Sequence, residues 1–223
     1  MNLIKKVKKI MMERPEELFA HIRGVYLFYQ TYIIRKWIFR YHKNIVVENN
    51  VRLQSIKNVS RSDNGKIFIG ENSIVYENAQ IGAYDNGDIK IGKNSIIGDT
   101  KIFSRDRIYI GDCFLTSWNV LIQDFDPHPV QGEKRKEQVE FMCNQFYPKF
   151  NAQKNILNYN NFFVSESITI GNNVWVGANS TILKGAKIGN NCIVATGSVV
   201  VAGVYPNNAI LAGNPAKVVK ITE

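Results

Sequence analysis

Apolar residues recur at every sixth position through the last third of the chain. Ile170, Val176, Ile182, Ile188, Val194 and Val200 keep this spacing without a slip, and Gly171, Gly177 and Gly189 follow three of them. An earlier block repeats the pattern less evenly, as Ile69, Val75 and Ile81, then Ile91, Ile97 and Phe103, then Ile110, Thr116 and Ile122. Here Gly70, Gly82, Gly92, Gly98 and Gly111 stand beside the anchors. Such a period fits neither the 3.6 of an α-helix nor the alternation of a half-buried strand. It fits a parallel β-solenoid, in which each hexad makes one short side of a coil and its apolar residue points inward. Three hexads close one triangular coil. A glycine beside each anchor suits a corner, where small size and backbone freedom are needed. All six prolines lie outside residues 66–126 and 164–204, where a missing N–H would interrupt the ladder. A β-sandwich with turn-spaced glycines accounts poorly for so many in-phase anchors. The expectation is an all-β solenoid.

Two segments depart from the period. Residues 129–163 contain Pro129, the run Lys134-Arg135-Lys136 and aromatics at Phe141, Phe146, Tyr147, Phe150, Phe162 and Phe163. A long excursion from a compact repeat is usually functional, and this one reads as a loop that leaves one corner to cover a site. Residues 15–43 read as a helix that opens on Pro15, Glu16 and Glu17. Its stripe is Leu18, Ile22, Val25, Tyr29, Ile33, Trp37 and Tyr41. The expectation is that this helix packs on the solenoid or on a neighbouring subunit. A shorter stripe of Leu3, Val7, Ile10 and Met11 is opposed by Lys5, Lys6, Lys8 and Lys9, and a basic amphipathic segment can lie on an anionic membrane surface. The chain thus divides into basic amphipathic helices (residues 1–45) and a solenoid domain (residues 46–223) carrying the insertion.

Charge changes this picture in one respect. The chain has 223 residues and a formal net charge of +9, of which +7 falls within residues 1–45. The solenoid is nearly balanced, so a nucleic-acid-coating protein is not expected. The apolar stretch Val25–Ile34 is too short for the ~20 residues of a membrane span, and Lys8, Lys9, Glu13 and Arg14 interrupt any leader-like apolar core. Cys113, Cys143 and Cys192 form no C-x-x-C pair, so neither a disulfide framework nor a metal cage is implied. The chain reads as cytoplasmic, with its cysteines in packing roles.

Chemistry has few candidate carriers. His21 and His42 stand at the two ends of the expected helix, where a solvated His is ordinary. His128 lies in D-F-D-P-H-P-V, where the repeat meets the insertion, and it keeps phase with Ile110, Thr116 and Ile122. A histidine there is suited to take a proton from an acceptor hydroxyl or amine. Asp124 or Asp126 is the candidate to orient its ring.

The run I-T-I-G-N-N-V-W-V-G-A-N-S-T-I-L-K-G-A-K-I-G, the later G-N-P-A-K and the H-P-V that follows two aspartates resemble the hexapeptide-repeat acyltransferases. The likeness is greatest to galactoside and maltose acetyltransferases and to bacterial capsule and lipopolysaccharide O-acetyltransferases. It covers roughly residues 66–222 and implies a left-handed parallel β-helix, a homotrimer and acetyl-CoA bound between subunits, with no metal. Within it His128 matches the family's general base, and Trp175 matches the aromatic beside the thioester arm. Gly177 and Ala178 match the place that polarises the thioester carbonyl, although some relatives carry Ser where this chain has Ala178. Ala195, Thr196 and Gly197 resemble the turn that meets the pantetheine arm. Asn214, Pro215, Ala216 and Lys217 resemble the segment near the adenosine and its phosphates. Relatives often have fewer residues than D-F-D-P before the His, which leaves both aspartates open as its partner.

The implied reaction moves an acetyl group from acetyl-CoA to a sugar hydroxyl of a bacterial surface glycan or its precursor. Direct attack in a ternary complex needs an acceptor near the carbonyl, a base and an oxyanion donor, but no protein nucleophile. Asn119, Lys134, Arg135 and Lys136 are the candidate acceptor contacts. The alternatives are N-acetylation of a nucleotide-linked amino sugar and an inactive adaptor solenoid. The family reading also suggests that the basic N-terminus makes peripheral contact with the inner membrane face.

Overall fold

The computed structural model describes residues 43–61, 64–146 and 163–222, with a few further positions between 19 and 33. Short strands wind into coils with three sides. The first sheet stacks seven strands, from Ile45–Val47 to Gly203–Tyr205, and the third stacks six, from Val59–Arg61 to Val199–Val200. The second sheet runs from Arg52–Leu53 to Ala209–Gly213 and is closed by the antiparallel strand Ala216–Ile221. All other pairings of these strands are parallel, and each links a strand to its counterpart one coil away.

The hexad anchors stack in register inside the prism. Ile69, Ile91, Ile110, Ile170 and Ile188 line the first sheet, and Ile81, Ile102, Ile122, Ile182 and Val200 the third. These residues are all buried. Thr116 takes an anchor position in the second sheet because its hydroxyl is satisfied there: it accepts from the Gly98 N–H at 2.8 Å and from the Thr100 hydroxyl at 2.7 Å. One expected anchor is wrong. Ile102, not Phe103, points inward, because that coil is one residue shorter after Ile97. Phe103 turns outward beside Tyr84, ring centroids 6.0 Å apart.

The corners divide two tasks that the sequence reading gave to glycine alone. At Gly111 a Cβ would lie 2.8 Å from the Gly171 carbonyl carbon, so its smallness lets adjacent coils close up. The left-handed conformation belongs instead to Asn50, Asn72, Asn94, Asn173, Asn191 and Asn208, a residue type that tolerates it. Their amides chain from coil to coil, Asn173 to Asn191 at 3.1 Å and Asn191 to Asn208 at 3.0 Å. Cys113 occupies an asparagine position, with φ of +56° and an exposed side chain, so it has no core-packing role. Cys192 is buried as expected, whereas Cys143 is exposed on the insertion.

The insertion leaves and re-enters where the third sheet turns into the first. Phe125 bridges Ser165, the Asp126 N–H donates to Val164 O at 2.9 Å, and the Glu166 N–H donates to Asp124 O at 2.8 Å. Its first half is an α-helix, Gly132–Phe146, where the sequence reading expected loop. The segment is rich in Glu, Lys, Gln and Arg and has no proline, which favours helix without any six-residue period. Residues 147–162 lie outside the described residues.

The described positions between 19 and 33 are helical. Phe19, Ile22, Val25, Tyr26, Tyr29, Tyr32 and Ile33 are 46–70% exposed, so the expected burial against the chain's own solenoid is not found at them. Among the described residues no helix is long and apolar enough to cross a membrane. The short basic stripe of residues 3–12 lies outside the described residues.

Candidate active site

The neck of the insertion is built around a buried carboxylate. Asp124 accepts from the Ser104 hydroxyl at 2.6 Å and from the N–H groups of Arg105 and Asp106 at 2.8 and 3.2 Å. Burial pushes its carboxyl above the ordinary aspartate value. The three hydrogen bonds oppose that shift, and the nearby Asp106 charge adds to it. Arg105 stacks over the Phe163 ring at 3.5 Å, lies 5.2 Å from the Phe125 ring and pairs with Asp85. Asp124 therefore pins the two ends of the insertion to the coil below. Asp126 points elsewhere, to Lys184 Nζ at 2.7 Å.

His128 sits on an exposed bend just beyond. The chain leaves the third sheet after Gln123, so the six-residue phase does not carry on to His128. Its Nδ1 lies 2.8 Å from Oε1 of Gln138, a buried side chain on the insertion helix. The Gln138 amide nitrogen faces the Pro127 carbonyl at 3.5 Å. The ring's partner is thus Gln138, where the sequence pointed to Asp124 or Asp126. Both carboxylates are engaged by nearer donors. Nothing in the sequence marks Gln138 or Lys184, since both contacts are made only by the fold.

A second group of residues follows the opposite edge of the third sheet, where it meets the second. Trp175 is half-exposed there, its indole N–H donating to Ser117 Oγ at 3.4 Å. Gly177 packs so closely under Thr196 that a Cβ would lie 2.7 Å from the Thr196 nitrogen. The Gly177 N–H donates to Val194 O, and the Gly197 N–H to Ala178 O, both at 2.8 Å. One coil further, the Gly213 N–H donates to Ser198 Oγ at 3.3 Å, and Asn214-Pro215 makes the turn between the last two strands. Ala216 is buried and Lys217 exposed. Trp175, Gly177, Ala178, Ala195, Thr196, Gly197 and Asn214 to Lys217 therefore form one continuous edge across three coils. Trp118, 75% exposed on the same edge, was missed because Trp in a ragged hexad reads as ordinary surface.

The candidate acceptor contacts fare differently. Asn119 is a corner residue, with φ of +54° and its amide donating to Asn179 Oδ1 at 2.9 Å. Arg135 donates to the carbonyls of Pro129 and Val130 at 3.0 and 2.9 Å, which ties the helix to the bend carrying His128. Lys134 and Lys136 are exposed on that helix. Among the described residues no group of three His, Cys, Asp or Glu is placed to hold a metal.

Within one chain the two groups do not meet. The four-residue strand Val120–Gln123 spans roughly 13 Å between the two edges.

Residues 167–202 match the family model described as bacterial transferase hexapeptide (six repeats). Within those residues the six-residue period is that of the hexapeptide model. Over 136 residues it is 33% identical to the Saccharomyces cerevisiae protein named "Putative acetyltransferase YJL218W". That match covers 52% of this chain and 57% of the yeast protein, so this chain spans less than two thirds of that relative's length. Among solved structures, the polySia-specific acetyltransferase NeuO superposes with a TM-score of 0.56 at 23% identity, over 79% of this chain and 65% of that one. AntD, an N-acyltransferase from Bacillus cereus in complex with dTDP and 3-hydroxybutyryl-CoA, gives 0.55 at 18% identity, over 81% and 85%. These structures share the fold of the hexapeptide-repeat solenoid seen here.

Proposed function

We propose that this protein is an acetyltransferase that moves the acetyl group of acetyl-CoA to a sugar hydroxyl, with His128 as general base. The observation that carries this reading is His128 itself, exposed at the neck of the insertion with Nδ1 held by Gln138. Nε2 then takes the proton of the acceptor hydroxyl as its oxygen attacks the thioester carbon. The tetrahedral intermediate collapses with loss of CoA, which leaves as the thiol after taking up a proton. The Gly177 N–H is engaged with Val194, so the Ala178 N–H is the backbone donor assigned to the developing oxyanion. Trp175 and the edge from Ala195 to Lys217 are assigned to the CoA arm and its phosphates.

The separation of the two edges supports a site shared between copies. In this reading a homotrimer brings the Trp175 edge of one subunit to the His128 neck of the next. The acceptor is assigned as a bacterial surface glycan or its precursor. Contact of the basic N-terminus with an anionic membrane face would bring the protein to lipid-linked forms of such an acceptor.

A second reading, N-acetylation of a nucleotide-linked amino sugar, draws support from the shared fold with AntD, an N-acyltransferase. Mass spectrometry of acetyl transfer onto nucleotide sugars, lipid-linked glycans and finished polysaccharide separates the two. Acetyl on a hydroxyl supports the first and acetyl on an amine the second. An absence of both CoA binding and CoA release with every acceptor would leave only an inactive scaffold.

A further inference from the structure

We propose that Gln138 is a positioning residue that holds His128 in its Nδ1–H tautomer and so leaves Nε2 as the basic nitrogen. The assignment rests on the acetyl-transfer reading for its consequence, although its geometry stands independently. Gln138 is 1% exposed on a helix whose residues 132–137 are all exposed, with Oε1 2.8 Å from His128 Nδ1. A buried amide needs partners on both sides. Its nitrogen faces the Pro127 carbonyl, an acceptor, so the oxygen must be the atom turned to the ring. The opposite orientation would set two carbonyl oxygens against each other. An amide oxygen only accepts, so Nδ1 must carry the hydrogen, and a neutral ring then has its lone pair on Nε2.

This gives the insertion helix a defined task. It supplies one neutral acceptor that selects a tautomer, while Arg135 fixes the same helix to the carbonyls of Pro129 and Val130 beside the ring. Free imidazole side chains in water favour the opposite, Nε2–H form, so the contact reverses a default. Among the described residues, the group shown against the His128 ring, Gln138, is uncharged. The nearby carboxylates of Asp124 and Asp126 are turned to Ser104 and Lys184.

The test is nitrogen-15 NMR of the histidine rings in the full chain without substrates, with the His128 signals identified by their loss in His128→Ala. The expected result is a neutral ring protonated on Nδ1 in the wild type and shifted towards Nε2–H in Gln138→Met, which keeps the length but has no amide acceptor. Gln138→Glu should restore the Nδ1–H form. Its negative charge favours the imidazolium, so the acid limb of the kcat/KM profile should move up by about one pH unit. In Gln138→Met, kcat should fall on the order of tenfold or more, with the KM for acetyl-CoA little changed. A wild-type ring protonated on Nε2, or a tautomer unaffected by Gln138→Met, would overturn the proposal. Since the NMR readout needs no turnover, failure of the acetyl-transfer reading would show separately, as absent activity with the tautomer still selected.

Discussion

In the coils the inward residues are nearly all apolar, each stacked on a like residue of the next coil, whereas among the described residues the insertion helix is tied to its neck by the polar side chains of Gln138 and Arg135. Ile110 is fully buried between Ile91 and Ile170. Gln138 and Arg135 instead hold the helix to one ring and two carbonyls. A solenoid is stabilised by nearest-neighbour stacking, so each anchor supports its own coil and both interfaces. The helix contributes little to that stack and can differ without unfolding it. Stability is therefore concentrated in the hexads and the proposed chemistry at the neck. The neck belongs to both, because Asp124 joins the insertion ends to the coil.

This division can be broken by a graded series measured by urea unfolding. Ile110→Ala should cost the most, about 2–5 kcal/mol for a buried Ile truncated in a close-packed core. A loss below about 1 kcal/mol, well under that range, would show that the coils are not the stabilising unit. Asp124→Asn should come next, at about 1–3 kcal/mol, because one amide oxygen cannot serve the donors that two carboxylate oxygens accept. Its pH dependence has a definite sign. Asp124 has a raised carboxyl pKa in the folded chain, so its contribution is present below the ordinary aspartate value and lost as pH rises through the raised one. The penalty of Asp124→Asn should therefore shrink as pH rises through that window, and a penalty that grows would contradict the assignment.

Lys184→Ala removes a part-exposed ion pair with Asp126 and should cost less than about 1 kcal/mol. Met142→Ser, at a half-exposed position on the insertion helix, should change stability by no more than about 0.5 kcal/mol. If Met142→Ser proved as costly as Ile110→Ala, the insertion would be part of the core after all.

The same contrast explains what could be read from the sequence. The anchors were legible because each coil must present an apolar residue inward, and that requirement leaves a period. The period misled where a coil changed length, so Phe103 took the place that belongs to Ile102, and where the chain left the third sheet before His128. The asparagines at the corners were visible as letters, but their left-handed backbone is a property of the turn and not of the repeat. At the neck His128 stood out through its flanking prolines and aspartates. Its partner did not, because Gln138 is reached by a helix that folds back across ten residues of chain. Proximity in sequence favoured the aspartates, while hydrogen-bond donors from Ser104, Arg105, Asp106 and Lys184 claimed them. Side-chain partners of this kind are set by where the insertion closes, and no local pattern records it.

The proposed chemistry turns on His128, and its most direct test is the turnover of His128→Ala on the acceptor found by mass spectrometry, followed by the acetylated product. A general base typically contributes about 10²–10⁴-fold, so kcat should fall by about that factor. Because the ring is exposed, the unfolding midpoint should stay close to that of the wild type. Wild-type turnover in the folded variant would contradict the assignment of His128 as the base.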